Sequence, residues 1–182
     1  FVGCGSSDIS EGVAKNDYPI TINGVTLNSQ PTGVAVLSQN IADVILTGGF
    51  EATLKAKSED CTQEDLSILP NLTIDDVQEM KNLGVTLVLV DAAPTEQTAA
   101  LEAQGIQVLA ISPAKSRDDC KRLYREVGSA MVGGNTGYTK GEKACDNVFY
   151  TLDDITRLVP STGTQYTACY LYDLEGHVAT GN

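Results

Sequence analysis

Ser38, Ser112, Asp91 and His177 are of the types that assemble a hydrolytic nucleophile, base and orienting acid. No G-x-S-x-G elbow surrounds either serine, and Ser38 stands in Leu37-Ser38-Gln39-Asn40, the pattern of a helix cap. His177 is the one histidine, so a bare zinc or manganese ion, which needs several converging imidazoles and carboxylates, finds too few ligands. Cys61, Cys120, Cys145 and Cys169 lack C-x-x-C spacing, which argues against a zinc knuckle. Outside the cytoplasm these four could form disulfides, with no pairing preferred. Cys169 reads equally as a small buried hydrophobe in a strand. The glycine-rich run 133–143 fails the G-x-x-x-x-G-K-[ST] pattern and follows a helix, so it reads as a break between helical segments. Asp75-Asp76, Asp118-Asp119 and Asp153-Asp154 fall at helix starts, where acids favour the macrodipole. These residues support no catalytic assignment, no metal site and no resident cofactor.

What remains is binding chemistry, and its position follows from the elements. Ile20 and Ile22 alternate with Thr21 and Asn23 before Gly24, the start of a β-hairpin. The apolar run from Gly33 to Leu37 predicts a buried parallel strand, and Ser38 caps a helix from about Asn40 to Thr47, ended by Gly48-Gly49. Thr53 to Lys57 is a second strand. Thr73 is expected to cap a helix from Ile74 to Leu83. Val85 to Val90 is the strongest strand signal, Thr95 to Gln104 a helix closed by Gly105, and Ile106 to Ile111 another strand. Strand and helix alternate on short connections, the pattern of a parallel Rossmann-like sheet covered on both faces. Ligands of such sheets sit in loops beyond the carboxyl ends of the strands. Here those loops hold Ser38, Gln39 and Asn40; Lys57 and Ser58; Asp91 and Ala92; and Ser112 through Lys115.

After Ser116 the character changes. Asp118 to Val132 is amphipathic, with Leu123, Val127 and Met131 four residues apart, and helix resumes from about Tyr138 to Leu158. A helical stretch of this length between strand-bearing regions reads as a rigid connector. Tyr166 to Tyr172 then predicts the strand that starts a second α/β lobe. The domain reading is a tether over 1–17, an α/β lobe over 18–115, a helical connector over 116–160 and the start of a truncated second lobe over 161–182.

The charge balance limits the partners. Twenty-four acids against twelve bases leave a net charge of −12, which disfavours nucleic acid and any polybasic contact with an anionic membrane. No apolar run approaches the length of a spanning helix.

The chain opens Phe1-Val2-Gly3-Cys4-Gly5, which resembles the end of a bacterial lipoprotein signal. That resemblance makes Cys4 the lipidated residue and the segment from Gly5 to Asn16 a flexible tether holding the body at the outer face of the cell membrane. A free cysteine in a cloned tail is the plain alternative. The carboxyl end closes a few residues after a strand-like run, so the chain is expected to be a fragment.

Further segments, in order, resemble the substrate-binding lipoproteins of ABC importers that take up iron-siderophores, haem and cobalamin. They are Tyr18 to Leu27 with Pro31 to Ser38; Ile41-Ala42-Asp43-Val44-Ile45-Leu46-Thr47-Gly48-Gly49; Leu69-Pro70 with Val77 to Val90; Leu101 to Leu109; and Tyr124 to Gly133. The resemblance implies two α/β lobes joined by a long helix, with ligand between them and a permease as partner. It places Asn182 in a ligand loop of the second lobe. It also puts Gln78, with Glu79 beside it, where the family docks a lobe-one glutamate onto permease arginines. An uncharged Gln78 leaves room for a surface-anchored binding or sensor module without transport. Lys57 and Lys115 are the cations nearest the lobe-one loops, while Arg117, Arg122, Arg125 and Arg157 lie on the connector. A strongly anionic ferric siderophore calls for arginine forks, so either the second lobe supplies them or the ligand is less anionic, such as a corrinoid.

Overall fold

The computed structural model describes residues 7–93, 95–158, 169–171 and 178–180. The chain divides into two compact units, Phe1–Val148 and Phe149–Asn182.

The first unit is built on a four-stranded, wholly parallel sheet. Its strands are β4 (Val34–Val36), β5 (Leu54–Lys57), β6 (Leu87–Val90) and β7 (Gln107–Ala110), in the order β5-β4-β6-β7. Val34 pairs with Leu87 and Val36 with Leu89, and the β6 to β7 register runs from Leu87↔Gln107 to Val90↔Ala110. Alternate side chains point to opposite faces of a strand, and both faces are buried here. Val34, Val36, Leu87, Leu89 and Leu109 enter the larger core, while Ala35, Ala56, Val88, Val90 and Val108 enter the smaller one. A sheet buried on both sides needs runs that are apolar throughout rather than alternating, as Leu87 to Val90 supplies.

Helix α1 (Gln39–Gly48) covers the first face with Ile41, Ala42, Val44 and Ile45. Ser38 caps it, and Gly49 ends it in the left-handed region at φ 69°, a conformation glycine adopts without a Cβ penalty. The second face is covered by α2 (Val77–Asn82), through Met80, and by α3 (Thr95–Ala103), through Leu101. The sequence reading has Thr73 as the cap of a helix that starts at Ile74. Instead the Asp76 carboxylate accepts the Thr73 backbone N–H at 2.6 Å and its hydroxyl at 2.9 Å. That local turn engages the Thr73 groups that would cap, and the helix starts at Val77.

A second, three-stranded sheet joins β1 (Ser7–Asp8), β2 (Ile20–Ile22) and β3 (Val25–Leu27). β2 and β3 form the expected antiparallel hairpin about Asn23-Gly24. Residues 7–17 differ from the flexible tether read in the sequence. β1 pairs with β2, Ile9 and Ala14 are buried in the larger core, and the Asp17 carboxylate accepts the Thr136 N–H at 2.7 Å. Burial of two apolar side chains and a helix-capping bond offset the entropy of ordering this segment.

Helix α4 (Arg117–Val132) packs Leu123, Val127, Ala130 and Met131 into the larger core, so the first half of the expected connector is part of the first unit's own packing. After the break at Gly133-Gly134-Asn135 the chain enters α5 (Thr136–Leu158). In the second unit β8 (Cys169–Leu171) pairs antiparallel with β9 (Val178–Thr180). Of the expected strand over 166–172, Cys169–Leu171 are strand, with a partner that the sequence reading did not provide, and the rest lies outside the described residues.

Candidate ligand-binding rim

All four strands of the main sheet point the same way, so the segments leaving β4, β5, β6 and β7 emerge at one edge. The backbone ladder continues just past the strand ends. The Leu37 N–H donates to the Leu89 carbonyl, Ser58 to Val36 and Ile111 to Val90, each at 2.9 Å. Eight of the residues expected to bind ligand therefore share one rim: Ser38, Gln39, Asn40, Lys57, Ser58, Asp91, Ala92 and Ser112.

Ser38 is central to it. The side chain is 3% exposed, and its Oγ accepts the Ile41 amide at 3.2 Å while donating to Asp91 Oδ1 at 2.6 Å. One hydroxyl thus caps α1 and ties the end of β4 to the end of β6. It also sets a carboxylate at the amino end of α1, where the helix dipole favours negative charge.

On the β5 side, Lys57 is 7% exposed. Its Nζ donates to Asn71 Oδ1 at 2.6 Å and to the Ser58 carbonyl at 3.5 Å. The backbone around Asn71 runs alongside: Lys57 N–H donates to the Pro70 carbonyl at 3.1 Å and Leu72 N–H to the Lys57 carbonyl at 2.8 Å. This ammonium is held within the sheet edge, so Lys115, which is exposed, is the more accessible of the two rim lysines. Ser58 Oγ lies 3.3 Å from Cys61 Sγ, and burial pushes that thiol up. Gln63 Nε2 bridges to α1, donating to the Gln39 carbonyl at 3.2 Å and to Asp43 Oδ1 at 2.6 Å.

On the β7 side, Ser112 is exposed, and its carbonyl accepts from Arg122 Nη2 at 2.8 Å. Arg122 also binds Asp119 through Nε at 2.6 Å and Glu126 through Nη1 at 3.0 Å. The Arg122 guanidinium, helped by the Lys115 backbone N–H, holds the Asp119 carboxyl down at about 2. Arg122, read in the sequence only as a connector cation, is thus the clasp that fixes the β7 loop. Its spacing from Asp119 and Glu126 is the helical i,i+3 and i,i+4 signal that could have shown the ion pairs. Asn71 and Gln63 carried no such local signal.

Gln78 and Glu79 are exposed on α2, with Gln78 Nε2 bonded to Asn82 Oδ1 at 3.0 Å. Cys4, Asn182 and His177 lie outside the described residues. A cavity of about 250 Å³ lies at the opposite, amino-terminal end of the sheet, lined by Thr32, Thr86, Leu87 and Gln107 among others; none of the expected site residues lines it. Among the described residues, no group of three or more His, Cys, Asp or Glu side chains could hold a metal ion. Nor, among them, is any helix long and apolar enough to cross a membrane.

No protein-family model and no curated protein matches the chain. Solved structures do. The haem-binding protein HmuT superposes with a TM-score of 0.59 at 19% identity, covering 75% of this chain and 47% of that one. A possible iron-binding periplasmic solute-binding protein from Staphylococcus epidermidis gives 0.59 at 14%, covering 74% and 54%. A periplasmic haem-binding protein from Pseudomonas aeruginosa gives 0.58 at 13%, covering 70% and 46%. The chain therefore has the α/β fold of periplasmic substrate-binding proteins. It spans about half the length of the solved structures it matches.

Proposed function

We propose that this chain is the first part of an extracytoplasmic substrate-binding protein that delivers an iron chelate, haem or corrinoid to an ABC permease. The observation that carries the reading is the rim itself. Loops from four parallel strands converge at the carboxyl edge of a sheet whose fold likeness is to haem- and iron-binding periplasmic proteins. In this reading the expected lobe one of 18–115 is extended by residues 7–17 and by α4, which share its core, the rest of 116–160 connects, and 161–182 begin the second lobe. Ser38, Gln39, Asn40, Lys57, Ser58, Asp91, Ala92 and Ser112 are the ligand-binding residues of the first unit, and Asn182 is a further proposed ligand residue.

The rim offers hydroxyls, amides, one carboxylate already engaged by Ser38, and the exposed Lys115. Arg122 is occupied by Asp119, Glu126 and the Ser112 carbonyl, which suits hydrogen bonding to the edge of a chelate better than clamping a polyanion. None of the rim residues named here is a histidine, tyrosine or methionine, the usual neutral and phenolate ligands of haem iron. An axial ligand for haem would have to come from elsewhere in the full protein. The chain works by binding, without a chemical step.

The test is a spectroscopic titration of the full-length protein with haemin, a panel of ferric siderophores and cobalamin. Saturable binding of one class, weakened at least tenfold by Asp91→Ala, is expected; binding of none would overturn the reading. Cys4 is the proposed lipid anchor. Cys4→Ala should move the protein from the membrane fraction to the soluble one, and unchanged fractionation refutes anchoring there.

The uncharged Gln78 favours a second reading, a surface-anchored sensor or scavenger without a permease. Co-purification with a permease, lost in Glu79→Ala, would decide for transport.

A further inference from the structure

Helices α4 and α5 pack backbone against backbone. A Cβ added at Gly128 would run into the Gly137 carbonyl, one at Gly137 into the Gly128 carbonyl, and one at Gly141 into the Tyr124 carbonyl. The helices run in opposite directions out of the short Gly133-Gly134-Asn135 break, and residues four apart recur on one helix face. Gly128 meets Gly137 and Tyr124 meets Gly141. The next step along each helix sets Cys120 against Cys145. Ion pairs border this seam: Arg125 Nη2 to Glu142 Oε1 at 2.7 Å, and Lys121 Nζ to Asp146 Oδ1 at 2.9 Å. Cys145 is fully buried and Cys120 partly exposed. Burial, and then the neighbouring Cys120, pushes the Cys145 thiol up to about 11, and burial raises Cys120 as well.

We propose that Cys120 and Cys145 form a disulfide that staples α4 to α5. A disulfide spans Cα atoms about 4.4–6.8 Å apart; the glycine contacts one and two steps along the seam hold the two backbones close, and both cysteines are free thiols in this structure. The oxidant is a small-molecule or protein disulfide. The Cys120 thiolate, the more accessible of the two, attacks one of its sulfurs and releases the other as a thiolate, leaving a mixed disulfide. Cys145, deprotonated to solvent before the seam closes in folding, then attacks Cys120 Sγ and expels the second thiolate. Two protein thiols are oxidised and one external disulfide is reduced to two thiols. Full burial of Cys145 in the seam marks a structural link made during folding rather than a switch. Cys61, under Ser58 and bonded to the Val36 carbonyl at 3.8 Å, stays a thiol.

The oxidising compartment rests on the proposed function; the pairing does not. The experiment separates them. The reduced full chain is refolded with oxidised glutathione at pH 8.5, alkylated, digested without reductant and mapped by mass. The expected product is one linked peptide pair carrying Cys120 and Cys145, short of two hydrogens, with Cys61 alkylated. Cys120→Ser, at the partly exposed position, should abolish that species, and Cys145→Ala serves as the second check. Recovery of both cysteines alkylated, or linkage of either to another cysteine, overturns the proposal. The same map of protein taken from its native cells reads the compartment. Linkage in vitro with free thiols in vivo would keep the pairing and overturn the extracytoplasmic reading.

Discussion

Ser38 Oγ donates to Asp91 Oδ1 at 2.6 Å while accepting the Ile41 amide at 3.2 Å, so one hydroxyl serves both a helix cap and the join between two strand ends. Ser38→Ala removes both bonds and leaves Asp91 without this donor. Loss of about 1–2 kcal/mol is expected in urea unfolding. Ser38→Thr keeps an acceptor for the amide and should cost less, and equal losses would mean that the hydroxyl contributes nothing beyond its size.

Lys57 and Asn71 give a second expectation. Asn71→Ala leaves a 7% exposed ammonium without its closest acceptor and should cost about 1–3 kcal/mol. Lys57→Met keeps the length and removes the charge together with its need for a partner, so it should cost less. The order of the two midpoints in denaturant checks this.

Asp119 should make stability depend on acidity. Its folded carboxyl is held down at about 2 by Arg122, below the ordinary carboxylate range. The stability it contributes is therefore complete above the unfolded-state value and is lost as pH falls toward 2. About 1 kcal/mol remains after solvent screening, because the side chain is 27% exposed. Asp119→Asn should flatten the fall in unfolding free energy between about pH 4 and pH 2. An unaltered slope would show that the ion pair carries no such linkage.

The glycine seam predicts a reversal of helix propensity. Alanine normally gains about 1 kcal/mol over glycine within a helix. At Gly128 or Gly137 the added methyl meets the opposing carbonyl, and overpacking of this kind costs about 1–3 kcal/mol. Each single substitution should lower the melting temperature. The pair should depart from additivity, since both methyls push on the same contact.

Much of the architecture was legible because it is written in short-range chemistry. Apolar runs at Val34 to Val36 and Leu87 to Val90, the Ser38 cap and the Gly49 and Gly105 stops each act within a turn or two. Alternation of strand and helix then required a parallel sheet, and a parallel sheet requires its loops to share an edge. Local chemistry also misled. Thr73 looks like a cap, yet Asp76, three residues on, engages it in a turn.

The sequence by itself determined the α/β alternation, the two-sided burial of the sheet and which loops form the rim. The tertiary structure alone decided what those residues touch. Asp91 lies beside Ser38 because β4 and β6 are neighbours in the order β5-β4-β6-β7. Lys57 is withdrawn into the sheet edge by Asn71, and Asp17 caps a helix that begins at Thr136. Gly128 meets Gly137 only through the antiparallel register of two helices. Periodicity and caps are set by neighbouring residues, whereas these partners are distant in sequence and are joined by packing that no local pattern encodes.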